Sequence, residues 1–163
     1  MVENHIIQQL GFRNVRDKAG NPSGFQFAII AFLYRGMFLS QFRTGKVTVD
    51  GVDYPKSALT WEIQGVDYTA EEMYELDDVY WPLDEPAIVK VPKAGGLAPG
   101  YHDVAIELGW VNAYGFSGEK QADGSGLGNG APMGDTQLNP AYIPKRPEDL
   151  SGGQARRRLL LVW

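Results

Sequence analysis

The chain has 163 residues, 44% apolar and 12% aromatic, which fits one domain with a real core rather than a disordered segment. Its formal net charge of −5 argues against a general nucleic-acid binder, which needs a basic face to displace counterions from phosphate. The lack of cysteine excludes disulfides, thiolate metal sites and a cysteine nucleophile.

The opening residues, "MVENHIIQQLGFRNVRD", lack the charged, then apolar, then small-residue order of a signal peptide. No apolar run approaches the ~20 residues needed to span a bilayer. These features predict a cytoplasmic protein without a membrane partner. Strand signals follow. In "GFQFAIIAFLY", Phe25, Phe27, Ile29, Ala31 and Leu33 share one face at period two, while Ala28, Ile30, Phe32 and Tyr34 make the other face apolar as well. "KVTVDGVDYP" predicts a hairpin, with Val47 and Val49 leading into Asp50-Gly51 and Val52 and Tyr54 returning. "LTWEI" alternates Leu59, Trp61 and Ile63 with polar Thr60 and Glu62, and Gln64-Gly65 turns the chain toward "VDY".

One short helix is predicted at "TAEEMYEL", where Thr69 and Glu72 have the spacing of a capping box. "VYWPL", "AIVKV" and "YHDVAIELGWVNAY" follow as strands, the last with His102, Val104, Ile106, Leu108 and Trp110 on one face and Asp103 and Glu107 on the other. Residues 115–134 then hold seven glycines in twenty positions, and aperiodic sequence runs on to about residue 153. That is long beside the ~4–6 residues of most connections, so the stretch is expected to be either functional or disordered. "RRRLLLVW" closes the chain as a strand. The prediction is an all-β chain: an antiparallel β-sandwich or jelly roll in one domain over 1–163, with one short helix, a long glycine-rich loop at about 115–153 and a closing strand at about 156–163.

Few residues suggest chemistry. "AGGLAPGYHD" (94–103) sits between two strands, and a phosphate cradle needs a helix after its glycines, so it is predicted to be a turn, with His102 structural. "GLGNGA" (126–131) formally fits a dinucleotide fingerprint but lacks the strand before and the helix after that the fingerprint requires. His5 and His102 have no metal-ligand spacing. Glu75, Asp77, Asp78, Asp84 and Glu85 crowd together and are expected to be an acidic rim around the helix end rather than a carboxylate metal or glycosidase site. The serines at 40, 57, 117, 125 and 151 lack a nucleophile-elbow setting. Trp61, Trp81, Trp110, Tyr54, Tyr68, Tyr80 and Tyr114 suit either a sugar-stacking platform or a core and interface, with core favoured for Trp61 and Trp110. No catalytic or metal-binding residue is assigned to this chain. The apolar second face of the 25–34 strand needs a cover, from the long loop, a symmetry mate or a different subunit.

The stretches "LYRGMFLSQFRTGKVTVDGVDYP" and "LTWEIQGVDYTAEEMYELDDVYWPLDEPAIVKVPKAGGLAPGYHDVAIEL" resemble, in order and spacing, the small β subunit of C-glycoside deglycosidases. The resemblance spans about residues 11–114 plus the closing "RRRLLLVW". It implies a β-sandwich paired with a larger TIM-barrel α subunit. That α subunit would carry a divalent metal, usually manganese, and an acid/base histidine, whereas this chain would bind no cofactor. The complex would cleave the carbon–carbon bond between an aromatic aglycone and a 3-oxo sugar, by proton abstraction next to the keto group and elimination. In that setting Ile30, Phe32, Tyr34 and Arg35 are expected at the subunit interface. Phe116, Met133 and Tyr142 are expected near substrate, on a loop reaching the partner's active-site mouth. Two alternatives stay open: a stand-alone carbohydrate-binding module, and a homo-oligomeric structural domain.

Overall fold

The computed structural model describes residues 6–31, 36–110 and 154–162. Among the described residues the strands, in chain order, are β1 (Ile7–Arg16), β2 (Pro22–Ile29), β3 (Met37–Phe38), β4 (Phe42–Val49), β5 (Val52–Tyr54), β6 (Thr60–Ile63), β7 (Val66–Tyr68), β8 (Tyr80–Trp81), β9 (Ala87–Pro92), β10 (Gly100–Trp110) and β11 (Gln154–Leu161), and an α-helix, α1 (Ala70–Glu75), lies between β7 and β8. One sheet runs β1-β2-β9-β6-β7, a second β11-β10-β4-β5, and a small ribbon pairs β3 with β8. Every described pairing is antiparallel. The all-β antiparallel sandwich predicted from the sequence is what the chain adopts. None of its described helices is long and apolar enough to cross a membrane.

Strand alternation builds the core. Phe25, Phe27 and Ile29 of β2, Trp61 and Ile63 of β6 and Val89 and Val91 of β9 face Phe42, Val47 and Val49 of β4, Val104, Ile106 and Leu108 of β10, and Leu159 and Leu161 of β11. All are sealed from solvent, and burying each large side chain is worth about 1.5–3 kcal/mol. Phe42, Trp61 and Trp81 meet edge to face at centroid distances of 4.9, 5.7 and 6.2 Å. The Trp81 indole N–H donates to the Glu85 carbonyl at 2.8 Å, whereas the Trp61 indole N–H is buried without an acceptor.

Local signals hold where they are self-contained. Asp50 and Gly51 have φ of 50° and 83°, and Gln64 and Gly65 have 51° and 79°, the paired left-handed residues of a two-residue hairpin turn. The Thr69 hydroxyl accepts from the Glu72 amide at 3.2 Å while the Glu72 carboxylate accepts from the Thr69 amide at 2.7 Å, closing the expected capping box.

Two strands differ from expectation. The strand predicted over 25–34 ends at Ile29, and β11 begins two residues earlier than predicted. The N-terminal β1 is not foreshadowed by any clean alternation, because its ladder breaks. Gln8 pairs Ala28 and Arg13 pairs Gln26, so four residues of β1 bulge out opposite one of β2. That bulge covers part of the face for which a cover was expected, at Ala28, while Phe32 and Tyr34 of the same face lie outside the described residues. Gly11, at φ 93°, lies so close over Ala28 that a Cβ there would sit 3.4 Å from the alanine methyl. Ala28 and Gln26, on the second face of β2, are therefore buried by this same chain at 3% and 8% exposure.

Candidate docking surface

The glycine-rich loop at 94–99 is a turn clasped from two sides. Gly95 and Gly96 take φ of 78° and 63°, and β10 follows with no helix between. Asn14 of β1 holds the loop by donating to the Leu97 carbonyl at 2.9 Å and accepting from the Leu97 amide at 2.8 Å. His102, at the start of β10, grips it from the other side. Its Nδ1 lies 2.6 Å from the Asp50 carboxylate and its Nε2 lies 2.7 Å from the Ala98 carbonyl. Both ring nitrogens therefore lie against acceptors of this same chain, a neutral ring donating to one of them and only an imidazolium to both, and neither faces open space for a substrate. The ring also meets Phe12 edge-on at 6.1 Å. Burial pushes the Asp50 carboxyl up, but hydrogen bonds from His102 and from the Asp103 amide at 2.9 Å outweigh it and hold it below the ordinary carboxylate range.

The acidic stretch does not converge. Glu75, Asp77, Asp78, Asp84 and Glu85 are all exposed, and among the described residues no three His, Asp or Glu side chains gather as a metal-ligand group. Beneath α1, Arg43 is 6% exposed. Its Nη1 donates to the Ser40 and Phe42 carbonyls at 2.6 and 2.7 Å, and its guanidinium lies 4.5 Å over the Tyr74 ring. Burial lowers its pKa against the opposing pull of Tyr74 and Glu75. Arg43 therefore fastens the helix to the sheet.

The aromatics divide sharply. Trp61 and Trp81 are core and offer no open face for a sugar, and Tyr54 and Tyr68 are half-buried against that core. Tyr80 is exposed on β8, where it meets Phe38 of β3 at 5.3 Å. The side chain of Trp110, together with Tyr114, His5 and "GLGNGA", lies outside the described residues.

Of the residues expected at a subunit interface, Ile30 is half-buried just past the end of β2, and its amide donates to the Ile6 carbonyl at 3.0 Å. Phe32, Tyr34 and Arg35 lie outside the described residues, as do Phe116, Met133 and Tyr142. The structure brings together a different set that the sequence reading did not single out. A groove of about 980 Å³ runs along β1 and the end of β11, lined by Leu10, Arg13, Arg16, Gln26, Leu160 and Val162 among others. Leu10 is 88% exposed, Val162 54% and Leu160 37%. A signal for half of it was present in "LLLVW": at period two, Leu160 and Val162 must face opposite to Leu159 and Leu161. For Leu10 there was none, because its position depends on the bulge.

A family model described as C-glycoside deglycosidase beta subunit matches residues 2–114. The chain is similar to the C-glycoside deglycosidase beta subunit of Eubacterium cellulosolvens, with 42% identity over 113 residues, 69% of this chain and 77% of that protein. It is also 31% identical over 84 residues to the C-glycoside deglycosidase beta subunit of Arthrobacter globiformis, covering 48% of this chain and 64% of that protein. The matched stretch includes β1 through β10 and ends before β11.

Proposed function

The chain belongs to the C-glycoside deglycosidase beta subunit family, and from that premise we propose that it is the small subunit of a heteromeric, cytoplasmic carbon–carbon lyase acting on 3-oxo-C-glycosides. The larger subunit, in this reading a TIM barrel, holds the reacting groups. A base there removes the proton next to the 3-keto group, and the electron pair forms the new double bond in the sugar as the bond to the aglycone breaks. The aglycone carbon takes up a proton as it leaves. A divalent metal in that subunit, manganese in this reading, supplies electrophilic stabilisation of the charge that develops on oxygen.

Family membership is the observation that carries this reading. The geometry around His102 supports assigning the chemistry to the larger subunit, because both ring nitrogens are engaged by Asp50 and Ala98. The burial of Trp61 and Trp81 counts against a stand-alone sugar-binding module built on those rings.

The test is to assay cleavage of a 3-oxo-C-glycoside by this chain alone, by the co-expressed larger subunit alone, and by the two together. The proposal expects full turnover only from the pair. Cleavage by this chain alone, or undiminished turnover by the larger subunit without it, would overturn the proposal.

A further inference from the structure

Of the nine large apolar side chains exposed among the described residues, four fall at the corner where β1 meets β11: Leu10, Tyr101, Leu160 and Val162. Three line the groove, and Tyr101 stands directly opposite Leu160 in the β10–β11 ladder. The groove's charged lining is Arg13 and Arg16, on a chain whose net charge is −5. The carboxylate of Glu62, on the adjoining surface beyond Arg13 and Gln26, is already paired with Lys90 at 2.6 Å. Arg158 adds a third guanidinium beside it, 5.0 Å over the Tyr101 ring. An apolar centre containing a tyrosine and ringed by arginines is the composition that distinguishes protein interfaces from ordinary surface. The charge pattern calls for a partner surface that is apolar at its centre and acidic around it.

The edge chemistry narrows the mode of contact. Gln9 occupies both the N–H and the C=O of Leu160, so a partner cannot add a strand to β11 at that point. At Leu160, contact must run through side chains.

We propose that this corner, rather than the 30–35 segment alone, is where the larger subunit docks, through a segment carrying apolar side chains flanked by carboxylates. This rests on the heteromer reading above, and the experiment separates the two. Leu10→Asp/Val162→Asp places charge at two exposed positions, where folding tolerates it. Arg13→Glu/Arg16→Glu reverses the groove's charge. Val66→Asp, 50% exposed on the opposite edge strand, is the control.

Affinity for the purified larger subunit is measured by titration at low and high salt, with thermal melts confirming that each variant is folded. The expected result is at least a ~30-fold loss for Leu10→Asp/Val162→Asp and a ~10-fold loss for the arginine reversal, with no change for Val66→Asp. The salt sensitivity of the wild-type complex should weaken in the Arg13→Glu/Arg16→Glu variant, which leaves only Arg158 of the three. If the wild type joins the larger subunit and both groove variants bind within about twofold of it, the surface assignment fails while the subunit reading stands. A wild-type chain that does not join the larger subunit removes both. Loss of self-association in the groove variants, with binding to the larger subunit intact, would assign the corner to a second copy and overturn the proposal.

Discussion

The side-chain amide of Gln9 closes on both backbone groups of Leu160, donating to its carbonyl at 2.8 Å and accepting from its amide at 3.0 Å. One residue of the first strand thus satisfies the outward-facing backbone groups of Leu160 in the last, joining the two sheets of the sandwich at one side. Arg157 adds a second strut by donating to the Ile7 carbonyl at 2.7 Å.

Gln9→Ala removes both bonds and reopens the β11 edge. A cost of about 1–2 kcal/mol in urea unfolding is expected, together with a concentration-dependent shift toward larger species in size-exclusion chromatography. An unchanged unfolding midpoint would mean that water replaces the amide without loss.

His102→Ala should cost about 1–3 kcal/mol at neutral pH, through the loss of the ring's hydrogen bonding between Asp50 and Ala98 and of the contact with Phe12. The Asp50 carboxyl is depressed in the folded chain, so across the acid range the unfolded state binds more protons and stability rises with pH. His102 contributes to that depression. The stability gap between wild type and His102→Ala is therefore present above the ordinary carboxylate pKa of about 4 and shrinks as the pH falls below it. Paired urea titrations at pH 7 and pH 3 measure it, and a gap that widens in acid would contradict the assignment.

Gly96→Ala meets two obstacles, a left-handed φ of 63° and a Cβ only 2.6 Å from the Asn14 side-chain oxygen. A cost of about 1–3 kcal/mol is expected. Asn14→Ala alone loses both bonds to Leu97 and also destabilises. Because removing Asn14 also removes the obstruction, the double variant should cost less than the sum of the singles, as a double-mutant cycle by thermal unfolding will show.

The two core indoles predict an asymmetry. Trp81→Phe breaks the bond to the Glu85 carbonyl and leaves an acceptor unpaired. Trp61→Phe removes an N–H that has no acceptor to lose. Both shrink the core, but Trp81→Phe should be the more costly by about 1 kcal/mol in chemical denaturation. Equal costs would mean that the volume change alone governs.

The parts of the molecule that could be read in advance are those whose cause lies within a few residues. Asp50-Gly51 and Gln64-Gly65 specify their turns because the required φ values favour glycine beside a tolerant residue. Thr69 and Glu72 cap α1 because they are three apart. Val104, Ile106 and Leu108 reach the core because strands alternate. β1 escaped notice since its bulge erases that alternation, and the part of the face it covers was therefore expected to need a cover from the long loop, a symmetry mate or a different subunit. Trp81, on a two-residue strand too short to show a period, gave no sign that it was core.

By itself the sequence determined the all-β class, the hairpins, the capped helix and the order of motifs that resembles the deglycosidase small subunits. Each of these is written in short-range pattern or in the succession of such patterns. Only the tertiary structure decided that Gln9 meets Leu160, that Asn14 and His102 hold the glycine loop between them, and that Leu10, Tyr101, Leu160 and Val162 stand together. Those contacts join strands as much as 151 residues apart, and their geometry follows from how the sheets pack and where one strand bulges. No local spacing encodes that.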